Sequence, residues 1–270
     1  MANLQAGLTG ESLPHAVAES RHAGQQMAQP ECKERQQKRL SLVVGNKAYS
    51  SWSLRAWLVC RVACGYNGFE EQVVPLAGAG SDAQRSTLLQ FSPSGKVPSL
   101  TDRDADGLIV WESLAICEYV AELHPEASLW PESPHARALA RAVASEMHSG
   151  FQALRAELPM NCRRDPVECE VGRHQALQKD NVTRDINRIC ELWETCLNCK
   201  WRGKGDFLFG EFGVVDAMFA PVVLRFQTYK PQLSSTSQRY CDQVLSMPEV
   251  REWVSAAKTE TWTIDKYENL

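Results

Sequence analysis

The first half of the chain alternates between short apolar runs and apolar residues at helical spacing. Leu42-Val43-Val44 is an apolar run that ends at Gly45, which is typical of a buried strand. Between Ser53 and Ala63 the apolar residues recur every three or four positions, which predicts a helix that ends at Gly65. The same reasoning predicts a strand over 69–75, a short helix over 81–89, two short strands around an Asp-Gly turn, and an apolar helix over 114–123. The predicted order is β-α-β-α-β-β-α, a small sheet with a hairpin at its edge and helices on its faces.

The second half is dominated by helical spacing. Apolar residues at that spacing predict helical segments over 135–158, 168–197, 214–229 and 248–258, with almost no strands. The chain is therefore predicted to hold an α/β domain over 41–124, a linker over 125–134, an all-helical domain over 135–262 and a tail over 263–270.

Residues 1–40 differ from both halves, because they contain no aromatic residue and no sustained apolar period. Such a composition predicts a disordered extension. An organellar transit peptide is the alternative, although Glu11, Glu19, Glu31 and Glu34 make the segment more acidic than such peptides usually are.

Composition narrows the functional classes. The 270 residues are 44% apolar, which is ample for a core, and the net charge of −4 argues against a nucleic-acid partner. No uninterrupted apolar run reaches the roughly 18 residues of a membrane span. The ten cysteines lie mostly within helical patterns, and the Cys196–Cys199 pair has no second pair to complete a metal site. We therefore expect a cytoplasmic enzyme with reduced thiols and no metal.

Val97-Pro98 and Glu112-Ser113 suggest a place for a peptide-like ligand. A proline in an extended apolar stretch cannot donate to a sheet, so it belongs at a strand edge or start. With a cis bond before Pro98, the N–H and C=O of Val97 would face an extended peptide. Glu112 and Ser113 open the following helix and offer a carboxylate, a hydroxyl and a helix N-terminus to its charged end.

Hydroxyl groups crowd the junction between the first strand and the first helix. Tyr49, Ser50, Ser51 and Ser53 all fall there, and the N-terminus of a helix stabilises anions. Serines are also good helix N-caps, and capping alone is an alternative that suits Ser53 better than Ser50.

Three motifs occur in the order that is typical of one enzyme family: Tyr49–Arg55 (YSSWSLR), Ser92–Pro98 (SPSGKVP) and Trp111–Tyr119 (WESLAICEY). With them, residues 41–260 resemble a cytosolic glutathione S-transferase of the serine type, with bacterial, zeta-like or tau-like character. The resemblance implies a thioredoxin-like N-terminal domain with a mixed four-stranded sheet, followed by the all-helical C-terminal domain of that family. It also implies glutathione as cosubstrate, no permanently bound cofactor and a homodimer.

The resemblance assigns roles to residues. Alignment on Arg55 with the zeta-like pattern Ser-Ser-Cys-x-x-Arg makes Ser50 the catalytic residue, which donates a hydrogen bond to the glutathione sulfur. The glutathione-binding residues would be Lys96 at the glycyl carboxylate, the Val97 backbone at the cysteinyl segment, and Glu112 and Ser113 at the γ-glutamyl end. Tyr49, Ser51, Trp52, Arg55 and Pro98 would support them, and Tyr49 is the competing hydroxyl. The alternatives are a plain helix cap for Glu112 and Ser113 and a surface charge for Lys96.

A pocket for a small hydrophobic electrophile is expected between the domains. Met147, Phe151 and Arg155 follow at i, i+4 and i+8 and could line it, with Tyr229 near the other wall. Ordinary core packing is the alternative interpretation of these residues.

The predicted function is a detoxifying transferase that conjugates glutathione to an electrophile. A glutathione-dependent isomerase similar to maleylacetoacetate isomerase, a reductive dehalogenase and a non-catalytic binding module are the alternatives. Trp52 stands where zeta-like enzymes have a cysteine, which weakens the isomerase alternative.

Overall fold

Four strands form one mixed sheet, in the spatial order β2-β1-β3-β4. The computed structural model describes residues 37–76, 82–164 and 175–268. Within these ranges the strands are β1 Leu40–Val44, β2 Phe69–Val73, β3 Ser99–Asp102 and β4 Leu108–Val110. β1 pairs in parallel with β2 and antiparallel with β3, and β4 completes the antiparallel hairpin predicted at the sheet edge. The mixed four-stranded sheet is confirmed.

Three helices accompany the sheet: α1 Ser51–Cys64, α2 Asp82–Leu89 and α3 Ser113–Leu123. All residues of α1 from Ser53 to Cys60 are buried, because this helix contacts the sheet, α3 and the helical part of the protein. It ends at Gly65, whose φ of 74° is a conformation that favours glycine. The element order predicted for the first half is confirmed.

The described residues that follow a short 3-10 turn at Pro125–Ala127 are mainly helical. Their helices are α4 Pro134–Ser149, α5 Gln152–Glu157, α6 Asp180–Leu197, α7 Val214–Tyr229, α8 Ser235–Ser246, α9 Pro248–Thr259 and α10 Asp265–Glu268. The bounds predicted for α7 match, and α8 was missed. The segment predicted over 168–197 is observed from residue 180 onward as α6, and its first residues lie outside the described residues.

The prediction of one continuous helix over 135–158 is wrong. The chain breaks after Ser149, since Gly150 is extended and Phe151 adopts a left-handed conformation with φ of 58°. Helical spacing of apolar residues continues across the break, so the sequence pattern alone does not show it. As a consequence, Met147 and Arg155 lie on different helices.

Helix α7 forms the centre of the helical core, with all but one of its residues buried. Asp216 in its first turn accepts hydrogen bonds from the backbone N–H of Gly213 at 2.9 Å and of Leu208 at 3.1 Å, and from the Tyr240 hydroxyl at 3.0 Å. The bond from the Gly213 N–H caps the N-terminus of α7. Burial raises the pKa of Asp216 to about 6, although these three donors oppose the shift.

The predicted domain boundaries stay a prediction, because residues 37–270 group into a single compact unit. The extension predicted over 1–40 lies outside the described residues up to residue 36. Across the described ranges, no helix combines the length and the apolar character needed to cross a membrane.

Candidate active site

A cavity of about 940 Å³ opens beside the N-terminus of α1. The predicted site residues that line it are Tyr49, Ser50, Ser51, Trp52, Lys96, Val97 and Arg155. Other lining residues come from the helical part, among them Pro159, Met160 and Arg225, and from the C-terminal segment, which we define as residues 264–268. The cavity wall thus combines the strand-to-helix junction with two segments that lie far from it in the sequence, the helical part and the C-terminal segment.

The Ser50 hydroxyl belongs to a short chain of hydrogen bonds. Ser50 is the N-cap of α1, and its Oγ lies 2.7 Å from Oγ of Ser53, which is fully buried within the helix. Ser53 Oγ in turn accepts the N–H of Gly45 at 3.0 Å. In this arrangement the half-buried Ser50 hydroxyl donates to Ser53 Oγ, and a rotation of both hydroxyl hydrogens would let Ser53 donate to Ser50 and Ser50 to a ligand. The interpretation of Ser53 as the helix cap is therefore wrong, because Ser53 supports the residue that caps.

The junction loop, residues 45–50, is held by hydrogen bonds from far along the chain. Both carboxylate oxygens of Glu260 accept from this loop, one from Lys47 N at 2.7 Å and the other from Ala48 N at 3.1 Å. The indole of Trp253 donates to the Lys47 carbonyl at 2.9 Å. Asn46 bonds through its side chain to both backbone groups of Leu76. The sequence gives no signal for Glu260, since more than 200 residues separate it from the loop.

The side chain of Lys47 anchors the same loop inside the protein. Its ammonium group lies 2.6 Å from the Glu71 carboxylate and 5.2 Å from the ring centres of both Trp57 and Trp253. A nearly buried lysine needs such partners, because removing its charge from water is costly.

Tyr49 is engaged by the C-terminal segment. Its hydroxyl bonds to the Glu268 carboxylate and to the Arg163 guanidinium, and Arg163 also pairs with Glu268 at 2.8 Å. The ring of Tyr49 lies 5.5 Å from the ring of Tyr267. Burial, followed by the hydrogen bond to Glu268, raises the pKa of Tyr49. These contacts occupy the phenol, which leaves Ser50 as the better-placed hydroxyl at the cavity.

Val97 presents an unpaired stretch of backbone at the cavity. The Val97-Pro98 bond is cis, and within the described ranges neither the N–H nor the C=O of Val97 has a hydrogen-bond partner. A Cβ placed on Gly45 would lie 3.1 Å from the Val97 side chain, so this backbone passes close to the junction loop. Lys96 beside it is exposed and lines the cavity.

Glu112 and Ser113 lie at the start of α3 and do not line this cavity. The Ser113 hydroxyl is buried without a partner among the described residues, and the Glu112 side chain makes no capping hydrogen bond. A plain side-chain cap therefore does not account for Glu112. The charge of Glu112 acts on His148, whose ring lies 5.2 Å from the Trp52 ring at the cavity wall. Sequence reasoning missed His148, which no motif singles out.

Two arginines lie against Trp52 and a third acts on both, and we call Arg55, Arg155 and Arg225 the arginine cluster. The Arg55 and Arg155 guanidinium groups lie 4.3 Å and 5.0 Å from the ring centre of Trp52. Arg55 is wholly buried; its Nε donates to the Met218 carbonyl at 2.9 Å, and its other two nitrogens have no partner among the described residues. Burial, and then the charges of Arg225 and Arg155, hold the pKa of Arg55 well below its usual range. Burial also lowers the pKa of Arg225 to about 10.

The residues predicted to line an electrophile pocket do not all meet there. Arg155 lines the cavity, whereas Met147 and Phe151 are packed in the hydrophobic core. Tyr229 is also buried, and its hydroxyl donates to the Pro159 carbonyl at 2.9 Å. For these three residues the structure shows the packing that was the alternative interpretation.

Comparison with known proteins identifies the family. Residues 49–123 match the N-terminal domain of glutathione S-transferases, and residues 135–256 match their C-terminal domain. Maleylacetoacetate isomerase of Rattus norvegicus is 32% identical over 184 residues, which cover 66% of this chain and 76% of that protein. The chain belongs to the glutathione S-transferase family. The three sequence motifs, Tyr49–Arg55, Ser92–Pro98 and Trp111–Tyr119, all lie within the matched N-terminal domain.

Other glutathione S-transferase relatives match over different lengths. Glutathione S-transferase GstB of Escherichia coli is 29% identical over 174 residues, which cover 62% of this chain and 77% of that protein. The probable maleylacetoacetate isomerase of Caenorhabditis elegans is 38% identical over 109 residues, 39% of this chain, and the match spans 48% of that protein.

Solved glutathione S-transferase structures share the fold. A glutathione transferase homolog from Burkholderia, crystallised with bound glutathione, superimposes with a TM-score of 0.59 and 21% identity, and the match covers 83% of this chain and all of the other. A sphingomonad glutathione S-transferase complexed with glutathione gives a TM-score of 0.57 at 21% identity, covering 82% and 100%. The thioredoxin-like domain followed by a helical domain is therefore confirmed.

Proposed function

We propose that this glutathione S-transferase binds glutathione along Val97, makes its thiol anionic through Ser50 and adds the sulfur to an electrophilic small molecule. The observation that carries the proposal is the position of Ser50. It caps α1, lines the cavity and is hydrogen-bonded to the buried Ser53 hydroxyl. The glutathione present in the Burkholderia and sphingomonad structures supports the choice of cosubstrate.

The chemistry required of Ser50 is a shift in the pKa of the bound thiol. A free thiol has a pKa of about 8.5, so only a few per cent is thiolate at neutral pH. A hydrogen bond from Ser50 and the helix N-terminus both favour the anion. Lowering that pKa by about two units requires about 2.7 kcal/mol of differential stabilisation, which makes the thiolate dominant. Ser50 itself forms no bond to the substrate.

The remaining glutathione contacts follow from the same placement. The free N–H and C=O of Val97 would pair with the cysteinyl segment, and Lys96 would meet the glycyl carboxylate. Ser113, with its unpartnered hydroxyl, and Glu112 would hold the γ-glutamyl end, with His148 between them and Trp52. The residues of 41–124 would thus bind glutathione, and those of 135–262 would supply the site of the second substrate.

The test is the thiolate absorbance of bound glutathione against pH, in wild type, Ser50→Ala and the control Ser246→Ala, an exposed serine of α8. We expect the thiol pKa to lie well below 8.5 in wild type and in the control. In Ser50→Ala it should rise toward 8.5, and kcat/KM should fall by up to about 100-fold, the loss expected if Ser50 supplied all of the about 2.7 kcal/mol. Ser53→Ala should give an intermediate shift. An unchanged thiol pKa in Ser50→Ala would contradict the proposal.

A glutathione-dependent isomerase is the second candidate, favoured by the relatives that are named maleylacetoacetate isomerase. Both activities would use the same thiolate, so the substrate separates them. Turnover of chlorodinitrobenzene and of maleylacetoacetate by the same preparation decides between conjugation and isomerisation. Trp52, in the place of a cysteine, leads us to expect that conjugation is the faster reaction.

We also propose that the protein is a cytoplasmic homodimer with a role in detoxification. The support for the location is chemical, since the reaction needs reduced glutathione, which the cytosolic redox poise maintains. The support for a dimer is the family membership. Sedimentation equilibrium would measure the oligomeric state, and a monomer over the micromolar range would contradict the dimer.

A further inference from the structure

We propose that the cavity holds an oxyanion subsite formed by Arg155 and Arg225, and that the second substrate therefore carries a carboxylate group. This inference rests on the proposed function, because it concerns the substrate that meets the activated glutathione. It replaces the expected purely hydrophobic electrophile with an amphiphilic one, an unsaturated or aromatic acid.

The arginine cluster has no carboxylate partner among the residues that the structure describes. Across the described ranges, no carboxylate lies within 4 Å of a guanidinium nitrogen of Arg55, Arg155 or Arg225. Other arginines, such as Arg39 and Arg61, do pair with carboxylates. Within the described part of the chain, the cluster is therefore a local concentration of positive charge without an ion-pair partner.

Arg155 and Arg225 each keep hydrogen-bond donors that have no partner within the described ranges. Arg225 donates from Nε to the Leu158 carbonyl at 2.8 Å and from one terminal nitrogen to the Pro221 carbonyl at 3.0 Å, which leaves its other terminal nitrogen unbonded within the described ranges. One terminal nitrogen of Arg155 donates to the Gly150 carbonyl at 2.7 Å, and its other two nitrogens have no partner within the described ranges. Both side chains line the cavity, so these donors can meet a ligand. A planar carboxylate matches the fork of a guanidinium.

Burial makes the unpaired guanidinium groups costly. Arg225 is 4% exposed and Arg55 is wholly buried, and a buried charge without a partner is costly. Their carbonyl partners offset only part of that cost, as the lowered pKa of each group shows. The carboxylate that acts on Arg155 is Asp185, which lies beyond ion-pair distance and accepts the backbone N–H of Leu154 at 2.9 Å. A bound anion would supply the missing counter-charge.

The walls of the cavity define the rest of the ligand. Trp52, Pro159 and Met160 give it apolar surface beside the two arginines. Arg55 lies behind Trp52 and does not line the cavity, so we assign it as a positioning residue for the indole ring. In the proposed function the two carboxylates of glutathione belong to Lys96 and Ser113, which leaves Arg155 and Arg225 to the second substrate.

The experiment compares two glutathione conjugates that differ by one carboxylate, S-benzylglutathione and S-(4-carboxybenzyl)glutathione. Their Kd values are measured by calorimetry for wild type, Arg155→Gln, Arg225→Gln and the control Arg239→Gln, an exposed arginine of α8. We expect the carboxylated conjugate to bind about tenfold more tightly to wild type and to the control. In Arg155→Gln and Arg225→Gln this advantage should fall to less than about threefold, while the Kd of S-benzylglutathione stays within about twofold.

Binding of S-benzylglutathione also reports that each variant is folded. If Arg225→Gln fails to bind it, Arg225→Lys, which keeps the charge, and the half-buried Arg155→Gln carry the test. Equal affinity of wild type for the two conjugates would overturn the oxyanion subsite and leave the glutathione site standing. An advantage that survives in both arginine variants would overturn the assignment of these residues. Failure of wild type to bind either conjugate would overturn the proposed function and this inference with it.

Discussion

The junction loop and the arginine cluster both contribute residues to the cavity wall, but they differ in how their polar groups are paired. In the loop, the backbone N–H groups of Lys47 and Ala48 meet the two oxygens of Glu260, and the Lys47 ammonium meets Glu71. In the cluster, Arg55 keeps two buried nitrogens without a partner among the described residues. The polar groups of the loop are paired within the protein, whereas the cluster keeps buried donors that have no partner in the described ranges.

This contrast separates residues that hold the site from residues that bind within it. A network in which every polar group is hydrogen-bonded fixes the geometry of the loop, because breaking any bond leaves a buried polar group without a partner, which is costly. An unsatisfied cationic group stays costly until a ligand arrives, and such groups concentrate at functional sites. The loop therefore holds Ser50 in place, and in our proposal the cluster selects the substrate that reacts there.

The largest effect should follow from breaking the satisfied network at Glu260. In Glu260→Gln, the amide can accept only one of the two loop N–H groups and places its own donors against the other. We expect the free energy of unfolding to fall by about 2 kcal/mol and glutathione affinity to fall several-fold. Urea denaturation and calorimetry measure the two changes.

The control for Glu260 is Glu122→Gln, at an exposed position of α3, which should change the free energy of unfolding by less than about 0.5 kcal/mol. An equal loss in both variants would mean that the loop does not depend on Glu260.

A smaller effect, of the opposite sign, is expected when a cation is removed from the unsatisfied region. Arg55→Met takes away a buried charge while keeping apolar volume, so the free energy of unfolding should stay the same or rise by about 1 kcal/mol. Arg61→Met, on the same helix, removes a guanidinium that pairs with Glu252 at 2.9 Å and should lower it by about 0.5–1 kcal/mol. Thermal and urea denaturation of the two variants, with the ligand absent, give the comparison.

A loss in Arg55→Met larger than the loss in Arg61→Met would contradict the contrast between the regions. The same variant should weaken binding of the carboxylated conjugate, because the Trp52 ring loses its support.

The smallest effect concerns His148, which lies among Trp52, Arg55, Arg155 and Glu112. Burial and then the Arg55 charge lower the pKa of His148, and the Glu112 charge opposes them. The unfolded histidine, with a pKa of about 6.5, binds a proton before the folded one does. The free energy of unfolding should therefore fall as the pH drops from 7 to 5, with a His148 share below about 1 kcal/mol.

Urea denaturation at several pH values, in wild type and His148→Gln, isolates that share. The variant should show the shallower slope below pH 6.5. Identical slopes would mean that His148 titrates alike in the folded and unfolded protein.

Much of the site follows from local sequence. The motif YSSWSLR places Ser50 at the start of the first helix, and in the structure Ser50 lines the same cavity as Val97 and Lys96. The break at Gly150 and Phe151 was not predictable, because apolar spacing continues across it. The electrophile residues inferred from that spacing were accordingly placed on one helix that does not exist.

The sequence by itself determined the order of strands and helices in the first half and the strand-to-helix junction at Ser50, because these depend on neighbours within a few turns of chain. Only the tertiary structure decided that Glu260 holds the junction loop, that Glu268 and Arg163 bond to Tyr49, and that three arginines come together with no carboxylate partner among the described residues. Those pairings join residues about 70 to more than 200 positions apart. Whether a charge is satisfied depends on every group that surrounds it in space, and that is a property of the folded chain.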